Sequence, residues 1–470
     1  MADVLVIGDD LTGSNATGVL YAKTGRRVVT VVDLGAVDAM RDQVDVLVVD
    51  TESRHLAPAE AAQRVRDVVA QGAGWGLQIV KRVDTTLRGN VGAEVEAGLL
   101  ALREVCPLRR QVALMVPAFP SSGRTTAGGM QFVGGVPLYR TEAAKDPFSP
   151  VRHSGVAQIL GDQSGLRVAC VSLDAYGDGL GDEIARAAAQ ADVVVVDAID
   201  DDDIRTVAAV AAGLEGIGWL IVDSGPFGAA FAQARGSRGV SGAATGTVPP
   251  AGFSSEGHGE SDEPDEPSPW LCAPEPKRPD EPSSLPLVLV IAGSLTEQTN
   301  RQLDRLAETG AGLVEIDPAT AEPQAVVAQL RGLVEDGRRI VGVRTTSCDG
   351  TPTAQAAGHA LRVLGDVALA AASGLHPGGV YATGGDVART VLSVLGGNGF
   401  RLIDEVLPLA VVGAVAGGEF DGSALVTKGG LIGDDDAAVA CVTMLQRVAG
   451  LTGTQQPAQA TGTKGESHDE

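Results

Sequence analysis

Residues 4–13 have the sequence VLVIGDDLTG, and this stretch carries the strongest signal of the fold. Its first four residues form a continuous apolar run, which is typical of a strand buried on both faces of a parallel sheet. A glycine and two aspartates follow, where a helix is expected to begin. In open α/β sheets, ligands bind beyond the carboxyl ends of the strands. Asp9 and Asp10 are therefore well placed to bind hydroxyl groups or a metal, unless Asp10 merely caps the helix.

The same pattern recurs along the chain, because short β-branched runs alternate with Ala- and Leu-rich segments of helical length. This alternation predicts two three-layer α/β domains with mainly parallel sheets and an active site in the interdomain cleft. The predicted strands are 4–7, 28–32, 46–49, 78–83, 112–116, 168–173, 193–196, 220–222, 287–291, 312–316, 340–344, 380–382 and 424–427. The predicted helices are 58–70, 93–104, 182–191, 204–213, 297–308, 325–335, 354–373, 386–395 and 435–448.

A change of composition divides the chain. Residues 236–284 are rich in Gly, Ser, Pro, Glu and Asp, and they contain too little apolar surface to offset the entropy lost on ordering. We expect a flexible acidic linker or insertion there. It separates an N-terminal domain, residues 1–235, from a C-terminal domain, residues 285–451, and residues 452–470 are expected to form a disordered tail.

Composition and charge exclude several classes of protein. The chain has 470 residues and a formal net charge of −24, which argues against binding to nucleic acid or to an anionic membrane. No apolar run of about 18 residues is present, so we expect no transmembrane helix. The N-terminus lacks the features of a secretory signal, and the five cysteines form no C-x-x-C pair. These features favour a cytoplasmic protein with reduced thiols and no zinc site.

Two further groups of charged residues follow predicted strands of the N-terminal domain. One is DTESR at residues 50–54, which ends in Arg54. The planar guanidinium of Arg54 can bind a carboxylate, although a single arginine after a strand is usually a surface ion-pair partner. The other, KRVDTTLRGN, contains Lys81, Asp84 and Arg88. Positive charges beside hydroxyl groups and a carboxylate suit a small polyhydroxy acid.

A third segment, residues 117–126, has the sequence PAFPSSGRTT and precedes GGVPL at residues 134–138. Its prolines and glycines predict a loop followed by a β-hairpin that leaves the sheet. Arg124 lies within this loop. The sequence favours neither of two roles for this segment, a purely structural hairpin or a contact with a ligand.

The C-terminal domain has three Gly-rich turns after predicted strands, at residues 292–294, 382–388 and 426–434. Glycine lets backbone N–H groups approach phosphate oxygens, and a following helix adds its positive N-terminal end. Three such turns indicate a nucleotide site, to which Lys428 and the aspartates 434–436 could add phosphate and Mg²⁺ contacts. The chain has neither a Walker A motif nor a clean G-x-G-x-x-G, so it is not an ordinary P-loop or Rossmann protein.

Together and in this order, the motifs resemble those of the four-carbon acid sugar kinases, from about Val4 to Val448 apart from the acidic segment. The resemblance implies an ATP-dependent kinase that phosphorylates a hydroxyl of threonate, erythronate or an oxo-tetronate. It also implies that the N-terminal domain binds the acid and the C-terminal domain binds the nucleotide. The matching segments are GDDLTG (8–13), KRVDTTLRGN (81–90), PAFPSSGRTT (117–126), TGGD (383–386) and VTKGG (426–430).

The resemblance further implies roles for individual residues. The acid would be contacted by Asp10, Arg54, Lys81 and Asp84, with Arg88 and Arg124 inside matching motifs. ATP would be contacted by Ser294, Thr383, Gly384, Gly385, Asp386 and Gly429. We expect Asp10, or its neighbour Asp9, to act as the base or to orient the hydroxyl, with Mg²⁺ offsetting the charge of the γ-phosphate.

Two alternatives stay open at this point. The protein could be a kinase for another small hydroxy acid, or a sensor that binds a sugar acid and a nucleotide without chemistry. The expected partners are a small sugar acid and ATP, with no nucleic acid and no membrane. A homodimer is the prior expectation for the assembly.

Overall fold

The computed structural model describes residues 1–146, 148–241, 285–293, 296–346 and 354–452. We call residues 1–241 the N-terminal half and residues 285–452 the C-terminal half. The expected linker is outside the described residues from residue 242 to residue 284, as is the expected tail from residue 453 onward.

The N-terminal half alternates strands with helices. Its strands are β1 (Val4–Gly8), β2 (Val28–Val31), β3 (Val46–Asp50), β4 (Gln78–Arg82), β5 (Arg110–Val116), β6 (Arg124–Ala127), β7 (Met130–Val133), β8 (Val136–Pro137), β9 (Val168–Val171), β10 (Val193–Val196) and β11 (Ile217–Asp223). Its helices are α1 (Leu11–Ala22), α2 (Val37–Arg41), α3 (Pro58–Gly74), α4 (Val91–Val105), α5 (Val156–Gln163), α6 (Leu180–Gln190), α7 (Asp201–Gly213) and α8 (Pro226–Ser241).

The C-terminal half repeats the alternation. Its strands are β12 (Val288–Ala292), β13 (Gly312–Ile316), β14 (Ile340–Thr345), β15 (Gly379–Thr383), β16 (Gly399–Leu407), β17 (Ala410–Ala416) and β18 (Ala424–Lys428). Its helices are α9 (Glu297–Glu308), α10 (Pro323–Glu335), α11 (Ala354–Leu375), α12 (Gly385–Val394) and α13 (Ala437–Thr452).

One sheet of 15 strands runs through both halves, in the order β13-β14-β12-β15-β18-β17-β16-β2-β3-β1-β4-β11-β5-β10-β9. The α/β class with mainly parallel strands is confirmed, but the two sheets that we expected are joined into one. The junction is the antiparallel pair β16–β2, in which Gly399 lies opposite Val31. A Cβ atom at Gly399 would come within 3.0 Å of the Thr30 carbonyl, so the close approach of the two strands requires glycine.

The predicted strands are all present, with ends that differ by a few residues. β16 and β17 were missed, because they form an antiparallel ribbon with no helix between them. β16 also carries Arg401, Asp404 and Glu405 and is only partly buried, so it lacks the apolar run that identified the other strands. The predicted hairpin is confirmed as the small antiparallel sheet β6-β7-β8.

The core lies on both faces of the large sheet and consists mainly of Val, Leu, Ile and Ala, as the low aromatic content predicts. β1, β3 and β10 are buried along their whole length, which explains their continuous apolar sequences. Within the described residues, no helix is both long enough and apolar enough to cross a membrane.

Candidate active site

A cavity of about 1040 Å³ lies between the two halves and is lined by both of them. The N-terminal half contributes the start of α1, the loop after β3, the end of β4 with the loop that follows it, the start of β6, and residues of the segment that follows β8, from Glu142 to Asp146. The C-terminal half contributes the turns after β12, β15 and β18. This is the interdomain cleft that the strand-end rule predicts.

Asp9 and Asp10 follow β1 directly but differ in exposure. The side chain of Asp9 is 5% exposed and that of Asp10 is 27% exposed. Asp10 caps α1, because its Oδ1 accepts a hydrogen bond from the Gly13 amide at 3.0 Å. The simple capping role considered above is therefore real, and the same carboxylate also lines the cavity.

Arg54 links the three carboxylates of this wall. Its Nε lies 2.8 Å from Asp9 Oδ2, and its Nη2 lies 2.7 Å from Asp10 Oδ1 and 3.5 Å from Asp84 Oδ1. The loop that carries Arg54 is tied to β1, since the amides of Ser53 and Arg54 both donate to the carbonyl of Asp9. The guanidinium is thus held in one orientation by side chains and backbone together.

Arg82, which sequence reasoning did not single out, completes the arrangement. Its Nη1 lies 3.0 Å from Asp9 Oδ1 and 2.9 Å from Asp10 Oδ1. Successive side chains of a strand point to opposite faces, so Arg82 and its neighbour Lys81 diverge. Because β4 is buried on both faces, its sequence carries no alternation that could have shown which residue faces the cleft.

Lys81 requires a correction, because its side chain does not line the cavity. It is 1% exposed, its Nζ lies 2.8 Å from Glu94 Oε2, and it donates to the carbonyls of Ile7 and Arg82. Ser53 donates to the other oxygen of Glu94. Lys81 therefore supports the ends of β1 and β4 from beneath the site.

The arginines keep the buried carboxylates ionised. Burial alone would raise the pKa of the Asp9 carboxyl, but the charges of Arg54 and Arg82 outweigh burial and lower the pKa to about 2. Burial acts in the same way on Asp84, yet Arg54 and Arg88 hold its pKa well below the usual range. Both carboxylates are therefore negative at any pH at which the protein would work.

Arg88 and Arg124 differ in what they contact. Arg88 Nε lies 2.8 Å from Asp84 Oδ2, and its Nη1 lies 3.1 Å from Asp146 Oδ2. Arg124 is half-buried, donates to the carbonyl of Ser122, and has a buried Nε with no hydrogen-bond partner. Burial lowers the pKa of its guanidinium. Among the arginines of the cavity in the described part of the chain, Arg124 alone forms no ion pair with a carboxylate.

The C-terminal wall consists largely of backbone. Gly384 has φ 106°, a conformation that favours glycine, and its amide donates to the carbonyl of Lys428 at 2.8 Å. α12 begins at the next residue, so the positive end of its dipole faces the cavity. Gly384, Gly385 and Asp386 line the cavity together with Gly429.

Two residues that we expected at the nucleotide, Thr383 and Lys428, do not line the cavity. Thr383 is fully buried and its side chain does not line the cavity. Ser294 lies outside the described residues. Lys428 is buried beneath the last turn, where its Nζ donates to the carbonyls of Gly429 and Ile432, and burial lowers its pKa to about 8.

The aspartate run 434–436 also lies away from the cavity lining. Asp435 pairs with Arg301 and Asp436 pairs with Arg305, both on α9. Our suggestion that this run supplies phosphate or Mg²⁺ contacts is therefore not supported by its position. These two ion pairs hold the loop before α13 against α9.

The two walls meet at Thr12. A Cβ atom on Gly385 would lie 3.2 Å from Thr12 Oγ1, and one on Gly429 would lie 3.5 Å from Thr12 Cγ2. One turn further along α1, Asn15 Nδ2 donates to Thr427 Oγ1 at 3.2 Å. Thr12 follows Asp10 by two residues, so the first motif and the glycine turns border the same cavity and one small ligand can contact both walls.

Another part of the cavity, beside α11, is less polar. Its lining there includes Leu361 and Leu364 of α11, with Asp317 and Thr345 at the ends of β13 and β14. The hydroxyl of Thr345 is buried without a hydrogen-bond partner. An apolar wall with a few polar groups is typical of a site for a flat organic ligand. The cleft therefore offers charged side chains for a polar acid, glycine turns for an anionic group and a less polar region for a ring system.

Comparison with known proteins agrees with this geometry. Residues 4–231 match the model of a sugar-binding N-terminal domain, and residues 289–438 match that of a nucleotide-binding C-terminal domain. The chain is 32% identical to a D-erythronate kinase of Heliobacterium modesticaldum, over 95% of this chain and 97% of that protein. It is also 32% identical to a D-threonate kinase of Salmonella typhimurium, over 92% of this chain and 96% of that protein.

The fold is shared with a crystal structure of a Haemophilus influenzae protein, at a TM-score of 0.65 and 19% identity, over 94% of this chain and 100% of that one. The resemblance found in the motifs is confirmed by relatives that match nearly the whole chain, and the protein belongs to the four-carbon acid sugar kinase family.

Proposed function

We propose that the protein transfers the γ-phosphoryl group of ATP to a hydroxyl of a four-carbon sugar acid such as erythronate, threonate or an oxo-tetronate. One observation carries the proposal: the carboxylate of Asp10 and the glycine turns of the C-terminal half line one cavity and come together at Thr12. Phosphoryl transfer depends mainly on positioning and on neutralising charge, and both walls offer groups for that purpose.

The acid would bind at the N-terminal end of the cleft. Arg124 is the best candidate for its carboxylate, because its guanidinium is half-buried and has an Nε without a hydrogen-bond partner. Arg54, Arg82 and Arg88 already pair with carboxylates of the protein. Asp84 and Asp10 can accept hydrogen bonds from the hydroxyl groups of the acid. In this proposal Arg124 binds the carboxylate, whereas from the sequence we expected Arg54 and Lys81 to bind it.

The nucleotide would bind along the C-terminal wall. Backbone amides at the start of α12 and the turn at Gly429 suit the phosphates, since a helix N-terminus attracts anions. The region beside Leu361 and Leu364 suits the adenine ring, and Asp317 can accept hydrogen bonds from the ribose. In this arrangement the terminal phosphate points toward Asp10.

Asp10 is better suited than Asp9 to act on the attacking hydroxyl. Arg54 and Arg82 pair with both carboxylates, but Asp9 is almost fully buried. Asp10 is more exposed and lines the cavity. Because phosphoryl transfer passes through a loose transition state, the base has mainly to orient the hydroxyl and accept its proton late. We assign that task to Asp10. Asp9 instead holds Arg54 and Arg82 in place.

Mg²⁺ would accompany ATP. The described residues contain no cluster of three or more His, Cys, Asp or Glu side chains that could hold a metal ion. Mg²⁺ in kinases needs only one or two carboxylates, because phosphate oxygens and water supply the other ligands. Asp386 is an exposed carboxylate at the phosphate-facing end of α12, so this donor set fits. The ion would supply neutralisation of charge on the phosphates.

The test is a coupled assay of ADP release over a panel of sugar acids with three to six carbons. We expect turnover with four-carbon acids and much less with shorter or longer ones. Turnover confined to another hydroxy acid would favour the alternative kinase. Binding of acid and nucleotide without ADP release in a well-folded sample would favour the sensor and contradict the proposal.

A further inference from the structure

Arg389 on α12 reaches from the C-terminal half into the N-terminal half. Its Nη1 lies 2.6 Å from Asp50 Oδ2, and its Nη2 lies 3.1 Å from Glu52 Oε2. The same Nη2 donates to the carbonyl of Val32 at 3.2 Å. One guanidinium thus contacts the ends of two strands, β2 and β3, that lie beside the sheet junction.

Asp50 lies at the end of β3, where its side chain is 1% exposed. Its Oδ1 accepts a hydrogen bond from the Glu52 amide at 3.0 Å. Glu52 has φ 49°, a left-handed conformation that is costly for a residue with a side chain and persists only where its surroundings hold it. One oxygen of Asp50 therefore holds the turn that leads to Arg54, and the other oxygen pairs with Arg389.

Each end of this contact is close to one wall of the cleft. Arg389 is four residues from Gly385, where α12 presents its amides to the cavity. Glu52 is two residues from Arg54, which orients Asp9 and Asp10. A shift of α12 against β3 would therefore move the phosphate site relative to the acid site.

We propose that Arg389 is a positioning residue that couples the two substrate sites, by holding the phosphate-facing end of α12 against the turn that carries Arg54. This inference rests on the proposed function. Binding of ATP at α12 then favours the arrangement of Arg54 that binds the acid, and binding of the acid favours ATP to the same extent, because such coupling is reciprocal.

The environment of Asp50 adds a pH dependence. Burial raises the pKa of its carboxyl to about 7, against the opposing charge of Arg389. The other charged groups that face it are Glu52 in its own loop and Asp10 before α1, and both raise the pKa further. Below about pH 7 Asp50 is protonated and its pair with Arg389 is weakened, so the coupling should strengthen as the pH rises from 6 to 8.

A matched control is available at the same junction. Lys23 Nζ lies 2.6 Å from Glu405 Oε2, and this ion pair also joins the two halves. Lys23 does not line the cavity. Lys23→Met therefore removes a contact between the halves without touching either substrate site, and it should leave the coupling unchanged.

The experiment measures the affinity for a non-hydrolysable ATP analogue with and without saturating erythronate or threonate, by calorimetry. In the wild-type protein we expect the acid to tighten nucleotide binding by about 5- to 150-fold, the usual range for coupled sites. Arg389→Met and Asp50→Asn should each reduce this factor to below about twofold, and the double variant should lose no more than either single one. Arg389→Lys should restore part of it, because it keeps the charge but not the planar fork.

Three results would overturn the inference. They are a wild-type protein without coupling, an Arg389→Met variant with wild-type coupling, and a Lys23→Met variant that loses coupling as Arg389→Met does. Failure of the proposed function is seen separately, because a wild-type protein that binds both ligands cooperatively but releases no ADP would contradict the kinase and not the coupling. Melting temperatures of all variants exclude loss of fold as the cause.

Discussion

The two walls of the cleft recognise their ligands by different means. The N-terminal wall consists of charged side chains, with Arg54 and Arg82 paired to Asp9 and Asp10. The C-terminal wall consists of glycine turns and the end of α12, and its one lysine, Lys428, lies beneath the surface. Fixed ion pairs suit a small acid with several hydroxyl groups, whereas backbone amides suit phosphates. We therefore expect changes in the N-terminal wall to weaken binding of the acid, and changes in the C-terminal wall to weaken binding of the nucleotide.

The most damaging change should be Asp10→Asn. The amide cannot accept the proton of the attacking hydroxyl, so we expect kcat to fall by about 10²–10⁴-fold. The KM for ATP should change little, because the C-terminal wall is intact. Steady-state kinetics with saturating acid and ATP measures both values.

The matched control for this change is Asp146→Asn. Asp146 also lines the cavity and pairs with an arginine of the cleft, but that arginine is Arg88 and not Arg54 or Arg82. We expect its effect on kcat to be much smaller. Near-normal turnover of Asp10→Asn would move the catalytic role to another carboxylate.

A second change tests whether Lys81 stabilises the fold beneath the N-terminal wall or contacts the acid. Lys81→Met leaves Glu94 buried without its cation, and breaking such a pair costs about 3–5 kcal/mol. The free energy of unfolding, measured by urea denaturation, should fall accordingly, and the KM of the folded fraction for the acid should stay close to normal. Replacing both partners, as Lys81→Met with Glu94→Leu, should recover stability.

The exposed pair of Arg205 and Asp202 offers the comparison for this test. Arg205→Met should cost no measurable stability, because exposed ion pairs contribute little. A Lys81→Met protein of normal stability that has lost affinity for the acid would return Lys81 to the substrate site.

A third change tests which arginine binds the acid. Arg124→Gln removes the guanidinium that forms no ion pair with a carboxylate in the described structure. Because a hydrogen bond to a charged group contributes about 1.5–3 kcal/mol, we expect kcat/KM for the acid to fall by about 10- to 100-fold. The KM for ATP should be unchanged. An equal fall of kcat/KM for the acid and for ATP would contradict the assignment of Arg124 to the acid.

The smallest effect should come from the C-terminal wall. At Gly384, φ is 106°, and a Cβ atom would lie 3.4 Å from Val387 Cγ2. Gly384→Ala should strain the turn by about 1–2 kcal/mol and raise the KM for ATP by up to about tenfold. The KM for the acid should not change.

Gly422→Ala is the control for strain alone. Gly422 has φ 83°, with no neighbouring atom within 4 Å of an added Cβ, and it does not line the cavity. It should lower stability to a similar degree and leave both KM values unchanged. If the two variants have the same kinetics, the turn at Gly384 does not bind phosphate.

Much of the fold could be predicted from the sequence because most strands are buried on both faces and have continuous apolar sequences. The same property limited the prediction of the site. In β4, which is buried on both faces, nothing in the sequence distinguishes Lys81 from Arg82, and the one that faces the cleft was missed. β16 and β17 were missed for the opposite reason, since a partly exposed ribbon has charged residues within it.

Residues at strand ends were located more reliably than their partners. Asp10, Arg54, Asp84 and Arg88 follow strands and line the cavity, as the strand-end rule predicts. The pairing of Asp50 with Arg389 joins positions 339 residues apart, and no local pattern could have revealed it. Contacts of that kind depend on how the halves join in one sheet, which the alternation of strands and helices does not determine.

The most direct measurement is a crystal structure with a non-hydrolysable ATP analogue and erythronate or threonate bound together. Our account predicts phosphates against the amides of Gly385 and Gly429, the carboxylate of the acid on Arg124, and the attacking hydroxyl within hydrogen-bonding distance of Asp10. A nucleotide bound away from these turns, or an acid bound on the side of the turns that faces away from Asp10, would contradict it.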